Sequence, residues 1–142
     1  MAIIQTLTTS FKVEVAQGLH NFTTGTGDVF KLALYTANAD LGASTTAYTT
    51  AGEVSGTNYS AGGIVLTNIT PSFQGTTSYW SFQNATFTNV TLTTNGALIY
   101  NSTNGNRSVA VLNFGVNITK TAQDLVITFP AASATDAILR IE

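Results

Sequence analysis

Short strand-forming segments, separated by turn residues, fill most of the chain after Val29. Each segment is rich in β-branched, aromatic or other apolar residues, as strands in all-β proteins are. Eight such segments cover residues 29–35, 64–70, 78–82, 85–92, 97–100, 109–114, 125–129 and 137–141. No alternation of strands with helices is visible, which disfavours a parallel α/β sheet. The pattern predicts a mainly β protein built as a single antiparallel β-sandwich, for which jelly-roll connections are one option.

Individual residues predict where these strands end. Pro71 and Pro130 should stop the strands that precede them, and Gly115 should end the segment at 109–114. Asn95-Gly96 is a turn signal. Asn104-Gly105 is the strongest hairpin signal, because strand-forming residues flank it on both sides.

One helix is expected, at residues 10–18. The apolar residues Phe11, Val15 and Leu19 recur at i, i+4 and i+8. Ser10 is suited to cap the start of this helix, and Gly18 is suited to a left-handed residue at its end.

The length of 142 residues fits one domain. We therefore expect a single β-sandwich domain over residues 1–142, in which residues 1–28 form an N-terminal arm, the short helix and a loop, and residues 29–142 supply the strands. Residues 43–59 are rich in threonine, glycine and serine and predict a long loop, with a short strand near Glu53-Val54 as an option.

Charge is scarce. Only 8% of the residues are charged, against roughly 25% in ordinary soluble domains. The net charge is −2, and the five basic residues are scattered, which disfavours nucleic-acid binding. No apolar run reaches the length of a membrane span, and the first residues do not resemble a signal peptide, so we expect no membrane partner. The chain has no cysteine, so its fold does not depend on the redox compartment.

Catalytic chemistry has few candidate residues. His20 is the only histidine, and no Gly-x-Ser-x-Gly nucleophile motif accompanies it. Without cysteine or a second histidine, a zinc site of the usual kind is excluded. The seven acids show neither a paired-carboxylate pattern nor EF-hand spacing; they are Glu14, Asp28, Asp40, Glu53, Asp124, Asp136 and Glu142. We therefore expect no enzyme activity, no catalytic residues, no cofactor and no metal, and we interpret Asp28 and Asp136 as turn acceptors.

Two further features have a structural and a functional interpretation. Gly25-Thr26-Gly27 is similar to a phosphate loop, but it lacks the lysine and the following helix, so we interpret it as a turn. The densest aromatic cluster comprises Phe73, Tyr79, Trp80 and Phe82. Its rings would form a carbohydrate-stacking platform if exposed. We favour core packing, with Trp80 at a subunit contact as an alternative.

Eight Asn-x-Ser/Thr triplets are acceptor patterns for N-glycosylation in secreted proteins. They begin at Asn21, Asn58, Asn68, Asn84, Asn89, Asn101, Asn106 and Asn117. The chain contains 26 threonines and 12 asparagines, so such triplets arise by composition alone. We therefore do not interpret them as glycosylation sites.

An ordered set of segments carries a family resemblance. The segments are Ser10-Phe-Lys-Val-Glu14, Gln17-Gly-Leu-His-Asn-Phe22, Asp28-Val-Phe-Lys-Leu-Ala-Leu-Tyr-Thr36, Thr45-Thr-Ala-Tyr48, Glu53-Val-Ser-Gly56, Tyr59-Ser-Ala-Gly-Gly63, Ala97-Leu-Ile-Tyr-Asn101, Ala110-Val-Leu-Asn-Phe-Gly115, Ile127-Thr-Phe-Pro130 and Asp136-Ala-Ile-Leu-Arg-Ile141. In this order they resemble a family of small structural proteins of tailed-bacteriophage virions. The resemblance spans nearly the whole chain and is weakest over residues 65–89. It implies a virion component, with head decoration or cement as the expected role, and it brings no catalytic residues.

These observations lead to one expected function and one alternative. The expected function is that of a non-enzymatic capsid cement protein on the virion surface, assembled in the host cytoplasm and bound to the major capsid protein. The alternative is a tail or head-fibre component that binds host-surface carbohydrate. We also expect a homo-oligomer, a dimer or a trimer, because charges that oppose association are few. The apolar residues 2–7 should contact either a partner or the domain's own core.

Overall fold

The computed structural model describes residues 2–142, which contain one α-helix and eight β-strands. The elements are β1 (Thr6–Leu7), α1 (Thr9–Ala16), β2 (Phe30–Tyr35), β3 (Ile64–Val65), β4 (Asn68–Gln74), β5 (Thr77–Phe82), β6 (Ala85–Asn101), β7 (Arg107–Ile127) and β8 (Leu139–Ile141).

The strands form two antiparallel sheets. The larger sheet has the order β1-β7-β6-β2-β3, and the smaller has the order β4-β5-β8. Phe30 of β2 packs against Phe82 of β5, with 5.6 Å between the ring centroids, so the two sheets share a core. The predicted mainly β, antiparallel architecture with one short N-terminal helix is confirmed. The jelly-roll connections and the single-domain boundaries stay predictions.

Each face of the larger sheet carries its own hydrophobic core. Side chains alternate along a strand, so Phe30, Leu32 and Leu34 of β2 lie on one face. Ala33 and Tyr35 lie on the other. Helix α1 and the smaller sheet cover the first face. The N-terminal segment and the loop after β2 cover the second. Strand β2 is therefore almost entirely apolar, because both of its faces are buried.

Strands β6 and β7 form one long hairpin, and two of the predicted strand ends inside it are wrong. Asn95-Gly96 lies within β6 instead of forming a turn, and Gly115 lies within β7 instead of ending a strand. The reason is that irregularities in the pairing of β6 with β7 accommodate these residues inside the strands. The register shifts between Thr94 and Gly96, and Gly115 adopts a φ of 80°. The segments predicted at 85–92 and 97–100 are thus one strand.

The hairpin turn itself is where the sequence predicts it. Strand β6 ends at Asn101 and β7 begins at Arg107, so Asn104-Gly105 lies between them. Gly105 and Asn106 have positive φ values of 68° and 55°, the left-handed conformation that favours glycine and asparagine.

The strand predicted at residues 64–70 is divided into β3 and β4, and Pro71 does not stop it. Strand β4 lies at the edge of the smaller sheet, where a residue without an N–H is tolerated. Pro71 also falls at the register shift between Ile69 and Ser72. The optional strand near Glu53 is reduced to an isolated bridge between Tyr35 and Glu53.

The helix begins earlier than expected. Thr8, instead of Ser10, is the N-cap, and its hydroxyl accepts a hydrogen bond from the backbone N–H of Phe11. At the other end, Gly18 has a φ of 72°, the left-handed geometry predicted for it.

Residues 2–7 pack against the protein's own core, and Ile3 is the residue of this segment that enters it. Ile3 is buried, and Ile4 N–H donates to the Leu41 carbonyl while Leu41 N–H donates to the Ala2 carbonyl. Strand β1 then pairs with β7. Of the two expected environments for this segment, the structure shows the intramolecular one.

Candidate functional site

The only histidine lies in a buried polar cluster between helix α1 and the β6–β7 hairpin. His20 Nε2 is 3.0 Å from Glu14 Oε1, and Arg107 donates to Glu14 Oε2 at 2.8 Å. The His20 side chain is fully buried, and the Glu14 side chain is 10% exposed. Asn101, also fully buried, lies 3.1 Å from His20 Nδ1. We call Glu14, His20, Asn101 and Arg107 the histidine cluster.

The hydrogen bonds of Asn101 determine the tautomer of His20. Asn101 Oδ1 accepts from the backbone N–H groups of Thr103 and Asn104, which orients the amide. Its Nδ2 atom therefore faces His20, and an amide nitrogen only donates, so His20 Nδ1 accepts. The ring proton then resides on Nε2 and is donated to Glu14. Neither ring nitrogen of His20 is left to activate a nucleophile.

Asp28 extends this cluster to the loop before β2. The second N–H of Asn101 Nδ2 is donated to Asp28 Oδ2 at 2.7 Å. The same carboxylate oxygen accepts from the backbone N–H of Asn21 at 3.0 Å. Asp28 therefore accepts within a turn, as predicted. Asp136 differs, because within residues 2–142 its carboxylate accepts only from the Thr135 hydroxyl, at 3.4 Å.

A second polar cluster, which the sequence does not reveal, lies around Glu53. Glu53 Oε2 accepts from Tyr48 Oη at 2.6 Å, and Oε1 accepts from Tyr59 Oη at 2.7 Å and from Gly62 N–H at 2.7 Å. Tyr59 Oη in turn accepts from the backbone N–H of Leu34. We call Tyr48, Glu53 and Tyr59 the glutamate cluster. It ties the long loop after β2 to the larger sheet.

The tyrosines here are poor proton donors to a substrate. Burial, reinforced by the hydrogen bond and the charge of Glu53, raises the pKa values of Tyr48 and Tyr59 above the usual value for tyrosine. Burial likewise raises the pKa of Tyr35, and it raises the pKa of Tyr100 to about 12. The hydroxyls therefore stay protonated and serve as hydrogen-bond donors within the fold.

The histidine cluster depends on contacts between residues that are distant in sequence. Arg107 and Glu14 are separated by 93 positions, and Asn101 and His20 by 81. No local pattern could have indicated them. The glutamate cluster is local, because Tyr48 and Tyr59 lie five and six positions from Glu53. Its signal in the sequence is that these polar and aromatic residues stand in the otherwise small-residue loop predicted at 43–59.

The aromatic stretch is divided between core and surface. Trp80 and Phe82 are buried, and Trp80 packs on Phe22 with 5.2 Å between ring centroids. Phe73 is 71% exposed. It pairs with Ser78, and Ser72 pairs with Tyr79, so Phe73 and Tyr79 lie on opposite faces of the small sheet. The core interpretation is correct for Trp80 and Phe82 but not for Phe73.

The loop at Gly25-Thr26-Gly27 is a tight turn. Gly27 N–H donates to the Thr23 carbonyl, and Asp28 N–H donates to the Asn21 carbonyl. A Cβ atom on Gly27 would clash with these two carbonyl oxygens. Carbonyl oxygens thus surround this glycine, and they would repel a phosphate group. This environment agrees with the interpretation of the segment as a turn.

An apolar groove of about 710 Å³ lies beside β7. Its lining includes Leu7, Phe114, Ile118, Leu125, Ile127 and Ile138, and no charged residue lines it. Strand β1 pairs with β7 only at Ala110 and Val111. Arg107 also forms a bridge with Ala47. Within residues 2–142, the part of β7 from Phe114 to Ile127 is paired on one side only, with β6. The groove and this open edge are the surface best suited to a partner.

Across residues 2–142, no three histidine, cysteine or acidic residues are grouped as a metal site would require. The same part of the chain contains no helix long and apolar enough to cross a membrane. No protein-family model matches the chain, and neither a curated protein nor a solved structure shows significant similarity to it.

Proposed function

We propose that this protein is a non-enzymatic structural component of a bacteriophage virion, a capsid cement or decoration protein that binds the major capsid protein. The observation that carries the proposal is the distribution of polar and apolar groups. His20 and Glu53 use their side chains on hydrogen bonds inside the fold, whereas the surface offers an apolar groove and an open strand edge. Such a molecule acts by contact with other proteins. The ordered resemblance to small virion proteins supports the same role.

Association with further copies, as a dimer or a trimer, is part of this proposal. The β7 edge has unpaired backbone groups, and Val116 and Val126 on this strand are 65% and 52% exposed. Few charges oppose contact between copies. Assembly in the host cytoplasm, followed by residence on the capsid surface, fits this role.

The alternative is a tail or head-fibre component that binds host carbohydrate. The exposed ring of Phe73 favours it, because aromatic faces stack on sugars. Its weakness is that Tyr79 is on the opposite face of the sheet, so the two rings do not form one platform. Binding on a glycan array that is lost in Phe73→Ala would support this alternative.

The location is tested by separating virion heads from tails. We expect the protein to remain with heads after tails have been removed. Recovery with the tail fraction would favour the alternative function instead.

Treatment of heads with EDTA should leave the protein bound, and release by EDTA would contradict a metal-free attachment.

The contact surface is tested with two matched valine variants. Val126→Lys places a charge at the open β7 edge, and Val13→Lys places one on helix α1, where the valine is similarly exposed at 55%. We expect Val126→Lys to weaken binding to particles that lack the protein by about tenfold. Val13→Lys should bind like the original protein. A protein that stays monomeric at high concentration and does not bind such particles would end the proposal.

A further inference from the structure

The chain contains two Asn-Gly pairs, at residues 95–96 and 104–105. In this dipeptide the backbone nitrogen of glycine can attack the asparagine side chain, because no side chain on the glycine hinders the approach. The attack requires the backbone around the pair to rotate freely. The fold places the two pairs in very different surroundings.

The first pair is held in the centre of the larger sheet. Gly96 pairs with Tyr35 on one side and with Asn113 on the other. A Cβ on Gly96 would approach Leu112 O and the side chain of Ile3, so the backbone is closely surrounded. Rotation at this position requires local opening of the sheet.

The second pair lies in the β6–β7 turn, outside any strand. Gly105 is exposed with a φ of 68°, and nothing lies within 4 Å of a Cβ placed on it. No partner accepts a hydrogen bond from the Gly105 N–H anywhere in residues 2–142. Asn104 makes three hydrogen bonds: its Nδ2 donates to the Leu19 carbonyl at 2.8 Å, its N–H donates to Asn101 Oδ1 at 3.1 Å, and its carbonyl accepts from Arg107 N–H at 3.4 Å. The reaction must break the first of these, because Nδ2 is the atom that leaves. One hydrogen bond of ordinary strength slows a reaction that must break it by roughly two- to tenfold.

We propose that Asn104 is a site of spontaneous deamidation in the folded protein, and that the fold protects Asn95. The Gly105 backbone nitrogen attacks Asn104 Cγ, forming an N–Cγ bond and giving up its proton. The Cγ–Nδ2 bond breaks, and the nitrogen leaves as ammonia with that proton. Water then opens the resulting succinimide to aspartate or isoaspartate.

The modification changes a contact between the turn and the helix. Asn104 Nδ2 is the donor to the Leu19 carbonyl, directly before His20. After deamidation a carboxylate oxygen faces that carbonyl, and an isoaspartate also lengthens the backbone of the turn. The turn therefore loses its direct bond to the segment that follows helix α1.

Peptide mapping by mass spectrometry tests the proposal. The folded chain is incubated in mildly alkaline buffer, with a parallel sample in denaturant, and then digested with chymotrypsin. Cleavage after Tyr100 places Asn95 and Asn104 on different peptides. We expect Asn104 to deamidate about tenfold faster than Asn95 in the folded chain. In denaturant the two rates should be similar.

Gly105→Ala is the matched variant, because the added methyl group meets no atom within 4 Å but hinders the attack. The φ of 68° strains an alanine mildly here, which the turn can bear. It should slow the reaction at Asn104 and leave Asn95 unchanged, with a circular dichroism spectrum to verify the fold. Equal rates at the two sites in the folded chain would overturn the proposal. So would an Asn104 that stays intact while the denatured chain deamidates at both sites.

Discussion

His20 Nδ1 lies 3.1 Å from the side-chain nitrogen of Asn101, and this contact joins the segment that follows helix α1 to the end of β6. Asn101 is fully buried and also bonds to Asp28, to Thr103 and to Asn104. One side chain thus connects the segment after the helix, the loop before β2 and the hairpin turn. Its amide supplies both the donors and the acceptor that these three segments need.

Asn101→Ala should therefore lower the free energy of unfolding by about 3 kcal/mol, because it leaves buried polar groups without partners. Asn117→Ala is the control, since Asn117 is exposed and makes one side-chain contact, with Asn95. It should change stability by less than about 0.5 kcal/mol. Urea denaturation measures both variants, and equal effects would contradict the role given to Asn101.

Tyr59→Phe tests the glutamate cluster. The substitution removes the donor to Glu53 Oε1 and the acceptor for Leu34 N–H. We expect a loss of about 2 kcal/mol in the free energy of unfolding. Tyr79→Phe, which removes a hydroxyl that makes no hydrogen bond within residues 2–142, should be nearly neutral. Thermal denaturation that ranks the two variants in the reverse order would refute this assignment.

Stability should fall in alkaline solution. The pKa of Tyr100 is raised to about 12 by burial, so the unfolded chain loses this proton near pH 10 and the folded chain retains it. Below pH 10 the contribution of Tyr100 to the free energy of unfolding is fully present. Between pH 10 and 12 this contribution is lost, because the unfolded state binds fewer protons than the folded state. Tyr35, Tyr48 and Tyr59 have pKa values raised in the same direction.

Urea denaturation midpoints measured from pH 8 to 12 test this predicted loss of stability. The absorbance of tyrosinate shows at which pH the side chains ionise. We expect these four tyrosines to ionise only as the protein unfolds. Ionisation of all tyrosines near pH 10 in a chain that stays folded would be inconsistent with their burial.

Adjacent isoleucines test the role of the N-terminal segment. Ile3 is 6% exposed and packs in the second core, whereas Ile4 is 62% exposed. Ile3→Ala should lower the free energy of unfolding by about 3 kcal/mol through the cavity it leaves. Ile4→Ala should be within about 0.5 kcal/mol of the original protein.

Because this segment is part of the fold, we expect deletion of residues 2–7 to destabilise the domain itself. A deletion that impairs particle binding but leaves the denaturation curve unchanged would show that the segment acts on a partner instead.

The fold class, the short helix ahead of Gly18 and the hairpin turn at Asn104-Gly105 could all be predicted from the sequence. These features are local. A run of strand-forming residues, an i, i+4 spacing of apolar residues or a left-handed glycine acts on its immediate neighbours, whatever the rest of the chain does. The interpretation of Gly25-Thr26-Gly27 as a turn succeeded for the same reason.

The lengths of the strands and the composition of the histidine cluster depend on tertiary contacts. Asn95-Gly96 forms no turn because Gly96 is paired with strands on both sides, and Pro71 stops no strand because β4 is an edge. Glu14 and Arg107 meet because helix α1 packs beside the start of β7. Such outcomes depend on which segments become neighbours in space, and favourable burial and pairing with distant residues override the local preference of a turn signal.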